Sequence, residues 1–484
     1  MAEIKYDFGM VGLGVMGSNL LMNMADHGFA VIGYDKNPDK TKLFETAAPA
    51  GTTVKGVNKL QEMIDALKVP RKIMMLVPAG IAVDSVINDL LPVLEKGDIV
   101  IDGGNSHYTD TLKRIQILQE KGFHFMGIGI SGGEEGARKG PSIMPGGDKE
   151  AYKAVEPILK AVAAKVNGEP CVGYLGKDAA GHYVKMVHNG IEYAIMELIS
   201  ECYDLLHNGL SYTNDKMHQV FKDWNRGEMN SFLLEISAKV FDRKDDKETG
   251  NYLVDMILDK AGAKGTGKWT SQEGLDVPMP IPTIDSAVMM RNLSSLIEER
   301  KEAAALYKTS YQKIDEEAAS FETLLHDALF FATIISYAQG LALLTKASEE
   351  LKMDIPLPEV VSVWRGGCII RSALLDIFKQ AYQNANLRNL LLDKNIAELM
   401  MQKLEGLQKV VSKAALSNFP CAALMASLSY FNAYRRDLLP TNLVQAQRDF
   451  FGAHTYQRID REGIFHSEWE TAPETVSTKP IDTN

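Results

Sequence analysis

Five short runs of β-branched and large aliphatic residues, at 8–13, 30–34, 73–77, 99–102 and 123–130, are separated by segments of helical period. Strands alternating with helices over the first 175 residues or so predict a parallel sheet covered by helices, an α/β Rossmann-like domain. After Gly176 the strand signals cease, and apolar positions recur at helical spacing to about residue 440. The pattern therefore predicts three parts: 1–177, a Rossmann-like domain; 178–440, an all-α domain; and 441–484, a C-terminal segment and tail. The stretch 328–344 is apolar enough to suggest a membrane span, but Thr333, Ser336, Tyr337 and Gln339 interrupt it, so a buried helix is expected.

The helical part carries an internal duplication. WNRG at 224–227 followed by SFLLEI at 231–236 is similar to WRGG at 364–367 followed by SALLDI at 372–377. A Tyr-Ala pair lies upstream of each, at Tyr193-Ala194 and Tyr337-Ala338. The end of the chain, from His466, is rich in Thr, Glu and Pro without periodicity and is expected to be an arm or a disordered end.

Composition narrows the function. The 484 residues allow two or three cores, and 52 basic against 63 acidic residues give a net charge of -11, which speaks against nucleic acid as the main partner. An anionic ligand must then be held by a few locally placed cations. Cys171, Cys202, Cys368 and Cys421 are scattered, with no spacing suited to a metal, so no metal site is expected and reduced thiols in a cytoplasm fit best. The N-terminus lacks the basic start and apolar run of a signal peptide, so no export is expected.

The first run leads into Gly12, Leu13, Gly14, Val15, Met16 and Gly17, and a helical pattern follows. In that context the glycines allow a tight turn and bring pyrophosphate to a helix N-terminus, so a dinucleotide is expected there. Asp35 ends the second run, where a carboxylate accepts from ribose hydroxyls and repels a 2′-phosphate. Lys36, next in sequence, offers an opposing attraction, so both NAD and NADP stand as cofactors. The stretch 262–269 is close to a triphosphate-binding loop, but Trp269 replaces the required Ser or Thr and helical spacing precedes it.

The segment 181–193 opens the helical part. At 3.6 residues per turn Lys185, His188, Asn189 and Glu192 share one face, with Lys185 and Glu192 two turns apart and able to address opposite ends of one substrate.

Six pieces together carry a family resemblance: IDGGNS at 101–106, SGGEEG at 131–136, GPSIMPGG at 140–147, HYVKMVHNGIEY at 182–193, KGTGKW at 264–269 and QAQRDFFGAH at 445–454. Apart from its tail, the chain resembles the 6-phosphogluconate dehydrogenases, within the β-hydroxyacid dehydrogenases. The resemblance implies oxidative decarboxylation of 6-phosphogluconate, with Lys185 as the base for the 3-hydroxyl and Glu192 as the acid that protonates the product carbon. It implies that Asn105, Ser131, Gly132, Gly133, His188 and Asn189 hold the sugar acid, and that Tyr193, Lys264 and Arg291 hold its phosphate. Arg448 and His454 would reach the site of a second subunit, which implies a homodimer.

Two departures bear on the cofactor. Asp35, Lys36 and Asn37 stand where the family commonly has Asn-Arg-Thr or Asn-Arg-Ser, and Val77, Pro78 and Ala79 where it often has Val-Lys-Ala. The family default is NADP, whereas Asp35 points to acceptance of NAD. Two other readings remain at this point: a β-hydroxyacid dehydrogenase of an unphosphorylated substrate, and a non-enzymatic dinucleotide sensor. Lys264, Arg291 and Arg448 speak against the first, the intact Lys185/Glu192 pair against the second.

Overall fold

A computed structural model of the protein describes residues 4–247, 249–308 and 310–470. Its chain forms two compact units, Met1–Leu428 and Ser429–Asn484.

The first unit opens on a seven-stranded sheet built from β1 (Phe8–Val11), β2 (Val31–Tyr34), β3 (Val54–Val57), β4 (Lys72–Met75), β5 (Ile99–Asp102), β6 (His124–Ser131) and β7 (Ser142–Gly147), in the order β3-β2-β1-β4-β5-β6-β7. Alternate side chains of each strand enter opposite cores. Phe8 and Met10 join one cluster with Leu20, Met74 and Ile128, while Val11 joins the other with Ile32, Ile73 and Val100. Burial on both faces explains why these strands read as continuous apolar runs.

The sheet corrects the expectation in two places. Strand β3 lies at an edge and contains Lys55 and Gly56, so it lacks an apolar run. Strand β7 runs antiparallel to β6, so the sheet is not wholly parallel. Its Gly and Pro content imitates a turn, and an outermost position tolerates a residue without an N–H. The Pro145 carbonyl still accepts from Leu175 N at 2.8 Å, in the segment that runs along the outer edge of β7.

From Ala180 the unit is helical. The helix Ala180–Asp204 packs against the sheet through β6 and β7 and against the helix Ala318–Leu351. That second helix is long and apolar enough to span a membrane, but 94% of its most apolar window is buried inside the protein, as Ala328, Phe330, Ile335 and Leu343 show.

The duplication has a geometric counterpart. Trp224 and Trp364 each end a helix, Asn214–Trp224 and Leu357–Trp364, and the helices Phe232–Asp242 and Leu374–Ala381 follow. The equivalent residues Ser231 and Ser372 pair with each other antiparallel, Phe232 N donating to Arg371 O at 3.1 Å and Ala373 N to Asn230 O at 2.8 Å. Mutual pairing of equivalent positions is what a local two-fold relation between two copies requires.

In the second unit the helix Thr441–Gly452 presents the buried carboxylate of Asp449. Asp449 accepts from Thr455 N at 2.9 Å, Ser467 N at 3.0 Å and Trp469 Nε1 at 2.9 Å, and His466 Nδ1 lies 2.9 Å away. The expected arm beginning at His466 is therefore folded onto this helix through residue 469. The remainder of that expectation, 471–484, lies outside the described residues.

Candidate active site

At the carboxyl end of β1 the chain turns at Gly12, whose φ is +97° and whose missing Cβ would lie 2.6 Å from Leu76 O. A Cβ on Gly17 would lie 2.0 Å from Gly12 O, so the loop closes this tightly only with glycine at both places. Gly14 caps the helix Val15–Asp26 with no side-chain partner, and nothing lies within 4 Å of where its Cβ would be. Leu13 is buried, Met16 packs against the core and Val15 is exposed. The helix thus starts directly from a glycine loop, the setting in which first-turn amides receive a phosphate, and the loop fits a dinucleotide.

A cavity of about 250 Å³ adjoins the loop, lined by Gly12, Asp35, Lys36, Val77, Pro78 and Asp89 among others. Asp35 Oδ2 accepts from Leu13 N at 3.0 Å and Oδ1 from Asn37 N at 2.9 Å, so this carboxylate props the glycine loop as well as facing the cleft. Lys36 Nζ lies 3.5 Å from Asp89 Oδ2. The Asn37 side chain accepts from Asp39 N and caps the next helix, and Ala79 sits in the turn after Pro78.

The second cluster lies on the helix Ala180–Asp204, where Gly129 of β6 makes room for it. A Cβ on Gly129 would lie 2.4 Å from Lys185 Cβ. Lys185 is consequently only 6% exposed, and its Nζ donates to Asn189 Oδ1 at 2.8 Å. His188 Nδ1 is 3.0 Å from Asn189 Oδ1 and 3.9 Å from Glu192 Oε2, while Ser131 Oγ stands 3.4 Å from His188 Nε2. Burial pushes the Lys185 ammonium down and the Glu192 carboxyl up; the attraction between them opposes both shifts. Burial, aided by Lys185, holds His188 well below its ordinary range, so it is neutral. A neutral ring donating from Nδ1 to Asn189 leaves Nε2 to accept from Ser131. The arrangement offers a buried amine able to take a proton and, two turns on, a carboxyl able to hold one.

The other expected residues, Arg448 and His454 apart, lie elsewhere in the first unit. Asn105 is exposed in the turn after β5, which Asp102 shapes by accepting from Gly104 N at 3.0 Å and Ser106 Oγ at 2.6 Å. Gly132 and Gly133 follow Ser131 with φ of +121° and +62° and open a short helix. The Arg291 guanidinium stacks on the Tyr193 ring at 3.4 Å, and Lys264 is exposed just before the helix Thr266–Asp276. Among the described residues the element immediately before the KGTGKW loop is the short helix Leu253–Met256 and not a strand, so the loop lacks the setting of a triphosphate loop. Arg448 and His454 belong to the second unit, where both are exposed.

The sequence alone does not assign three contributors to this face, although Thr266 lies in the KGTGKW piece and Trp364 in the repeated WRGG run. Thr266 Oγ1 accepts from Asn189 Nδ2 at 3.0 Å, Trp364 lies edge-on to His188 at 5.9 Å, and Arg114 braces the Asn105 turn through Asp102 at 3.5 Å and Ser106 Oγ at 3.4 Å. Tertiary folding brings them in from other parts of the sequence.

Comparison with known proteins matches residues 7–176 to the NAD binding domain of 6-phosphogluconate dehydrogenase and residues 181–469 to the 6-phosphogluconate dehydrogenase C-terminal domain. The NADP(+)-dependent, decarboxylating 6-phosphogluconate dehydrogenase of Bacillus subtilis is 50% identical over 467 residues, 96% of this chain and 99% of that protein. The decarboxylating enzyme of Escherichia coli is 46% identical over 467 residues, again 96% and 99% of the two chains. A Plasmodium falciparum 6-phosphogluconate dehydrogenase, solved without ligand, with NADP+ and with 6-phosphogluconate, superposes with a TM-score of 0.93 at 46% identity, over 96% of this chain and 100% of that one.

Proposed function

The chain belongs to the 6-phosphogluconate dehydrogenase family, and we propose that it converts 6-phospho-D-gluconate to D-ribulose 5-phosphate and carbon dioxide, reducing NADP or NAD. The observation that carries this reading is the buried face on which the Lys185 amine is pushed down and the Glu192 carboxyl pushed up.

Neutral Lys185, oriented by Asn189, takes the proton of the substrate 3-hydroxyl. The dinucleotide, held by the Gly12–Gly17 loop and Asp35, supplies the acceptor for the hydride from C3. The resulting ketone is β to the C1 carboxylate. As the C1–C2 bond breaks, its electron pair passes toward C2 and the C3 oxygen, where the Lys185 ammonium returns its proton, and an enediol is left. Glu192 then gives a proton to the carbon that lost carbon dioxide while Lys185 takes the proton of the C3 hydroxyl, which yields the ketose and leaves Lys185 protonated and Glu192 ionised, a pair that transfer of one proton resets.

Asn105, Ser131, Gly132, Gly133, His188 and Asn189 hold the sugar acid and its carboxylate, and Tyr193, Lys264 and Arg291 hold the phosphate. The coulombic influence of Arg291 on Glu192 supports placing these two ends on one site. The domains divide at residue 177, with 178–440 binding substrate and the described part of the C-terminal segment, 441–470, reaching a neighbour. Arg448 and His454 complete the site of the second subunit of a homodimer. Support comes from the apolar side chains Leu443, Val444, Phe450 and Phe451, which the helix of Arg448 leaves exposed in a single chain. The four cysteines, all free and buried, fit a cytoplasmic enzyme.

The test is an assay of purified protein with 6-phosphogluconate and each cofactor, following reduced cofactor and carbon dioxide together. Equal yields of the two are expected. Reduction without carbon dioxide would remove the decarboxylating role.

A further inference from the structure

The cofactor cleft contains a second carboxylate that the sequence motifs do not single out. On the helix Ile81–Leu90, Ala82, Ser85, Val86 and Asp89 fall at the spacing of one helical face, and all four line the cleft that Asp35 and Lys36 also line. Asp89 Oδ2 lies 3.5 Å from Lys36 Nζ, with both side chains reaching solvent. Lys40, the next cation along, sits 3.4 Å from Asp35 Oδ2. Lys36 and Lys40 therefore each already have a carboxylate partner.

We propose that Asp89 is a specificity-determining residue that disfavours NADP by holding Lys36. This rests on the reading of the cleft as the dinucleotide site. A 2′-phosphate brings close to two negative charges and needs a cation to offset Asp35. Lys36 is the cation among the residues lining the cleft, and to meet a phosphate it must give up Asp89. NAD makes no such demand, because its ribose presents only hydroxyls. The pair is solvated, so its influence is modest and weakens with salt.

The experiment is isothermal titration calorimetry of NAD+ and NADP+ binding to the full-length protein and to Asp89→Asn, Lys36→Met and the double variant, at low and at high salt. Asp89→Asn is expected to tighten NADP+ relative to NAD+ by roughly two- to fivefold at low salt, the range open to an exposed ion pair. In the Lys36→Met background the same substitution is expected to change little. An unchanged ratio in Asp89→Asn overturns the proposal, as does an equal shift in both backgrounds, which would leave Lys36 out of the effect. Circular dichroism checks that each variant is folded. Binding is read without turnover, so failure of the catalytic reading shows separately, as wild-type protein that binds dinucleotide but does not oxidise 6-phosphogluconate.

Discussion

Lys185 Nζ donates to Asn189 Oδ1 at 2.8 Å, and Asn189 in turn donates to Thr266 Oγ1 at 3.0 Å, so the orientation of one buried amine is set from the loop that carries Lys264. Its hydrogen-bond partner is neutral, and burial without a bonded carboxylate favours the free amine. Replacing Lys185 by Met keeps most of the buried volume and removes the base. Turnover is expected to fall by ~10²- to 10⁴-fold while dinucleotide affinity is kept. Steady-state rates and cofactor titration decide it, and near-normal turnover would take Lys185 out of the mechanism.

The opposite displacements of Lys185 and Glu192 set the form of the pH profile. Turnover needs Lys185 as the free amine and Glu192 with its proton, so activity is lost at low pH, where the amine is protonated, and at high pH, where the carboxyl has ionised. Each unit by which the two approach one another favours the reactive pair over the ammonium-carboxylate pair by about tenfold. A bell-shaped kcat/KM is expected, and Glu192→Gln should abolish its fall at high pH. The same variant should retain a burst of reduced cofactor while overall turnover drops, because hydride transfer precedes the protonation proposed for Glu192. Stopped-flow absorbance measures both. If instead dinucleotide binding is lost entirely, Glu192 is structural and not the acid.

What was legible beforehand follows from how each feature is encoded. The five recognised strands lie between two cores, so β1 and β5 carry apolar residues on both faces, whereas β3 and β7 escaped notice because an edge position admits Lys55 and Pro145. The face of Lys185, His188, Asn189 and Glu192 follows from helical period alone. Thr266, Trp364 and Arg114 reach that face through tertiary packing, which no local spacing announces. Asn37, expected at the cofactor, spends its side-chain oxygen on a helix cap, a role that competes for any Asn placed before a helix. The Thr- and Pro-containing tail gave no hint that His466 and Trp469 would return to Asp449, since the partner is a single buried carboxylate.

The second unit offers a prediction that needs two chains. Arg448→Ala and His454→Ala are expected to raise KM for the phosphorylated substrate with less effect on the cofactor. Mixing Lys185→Ala with Arg448→Ala protein should restore part of the activity, because a mixed dimer contains one site with both residues intact. Native mass spectrometry verifies that subunits have exchanged. No restoration after verified exchange would show that Arg448 serves its own subunit.

On the proposed reading the cofactor preference turns on Asp35, whose side chain both props Leu13 N at 3.0 Å and lines the cleft. Both ribose hydroxyls of NAD can donate to this carboxylate, whereas NADP loses one donor and places its phosphate beside a like charge. Appreciable efficiency with NAD is therefore expected. Asparagine in place of Asp35 keeps an oxygen for Leu13 N and removes the charge, so the loop should survive and the repulsion should not. The ratio of kcat/KM values should move toward NADP by roughly tenfold or more, corresponding to ~1.4 kcal/mol or above. Four values settle it, for two proteins and two cofactors at one ionic strength. A wild type that strongly prefers NADP, with a ratio unmoved by Asp35→Asn, would mean that Asp35 supports the glycine loop alone and takes no part in reading the ribose.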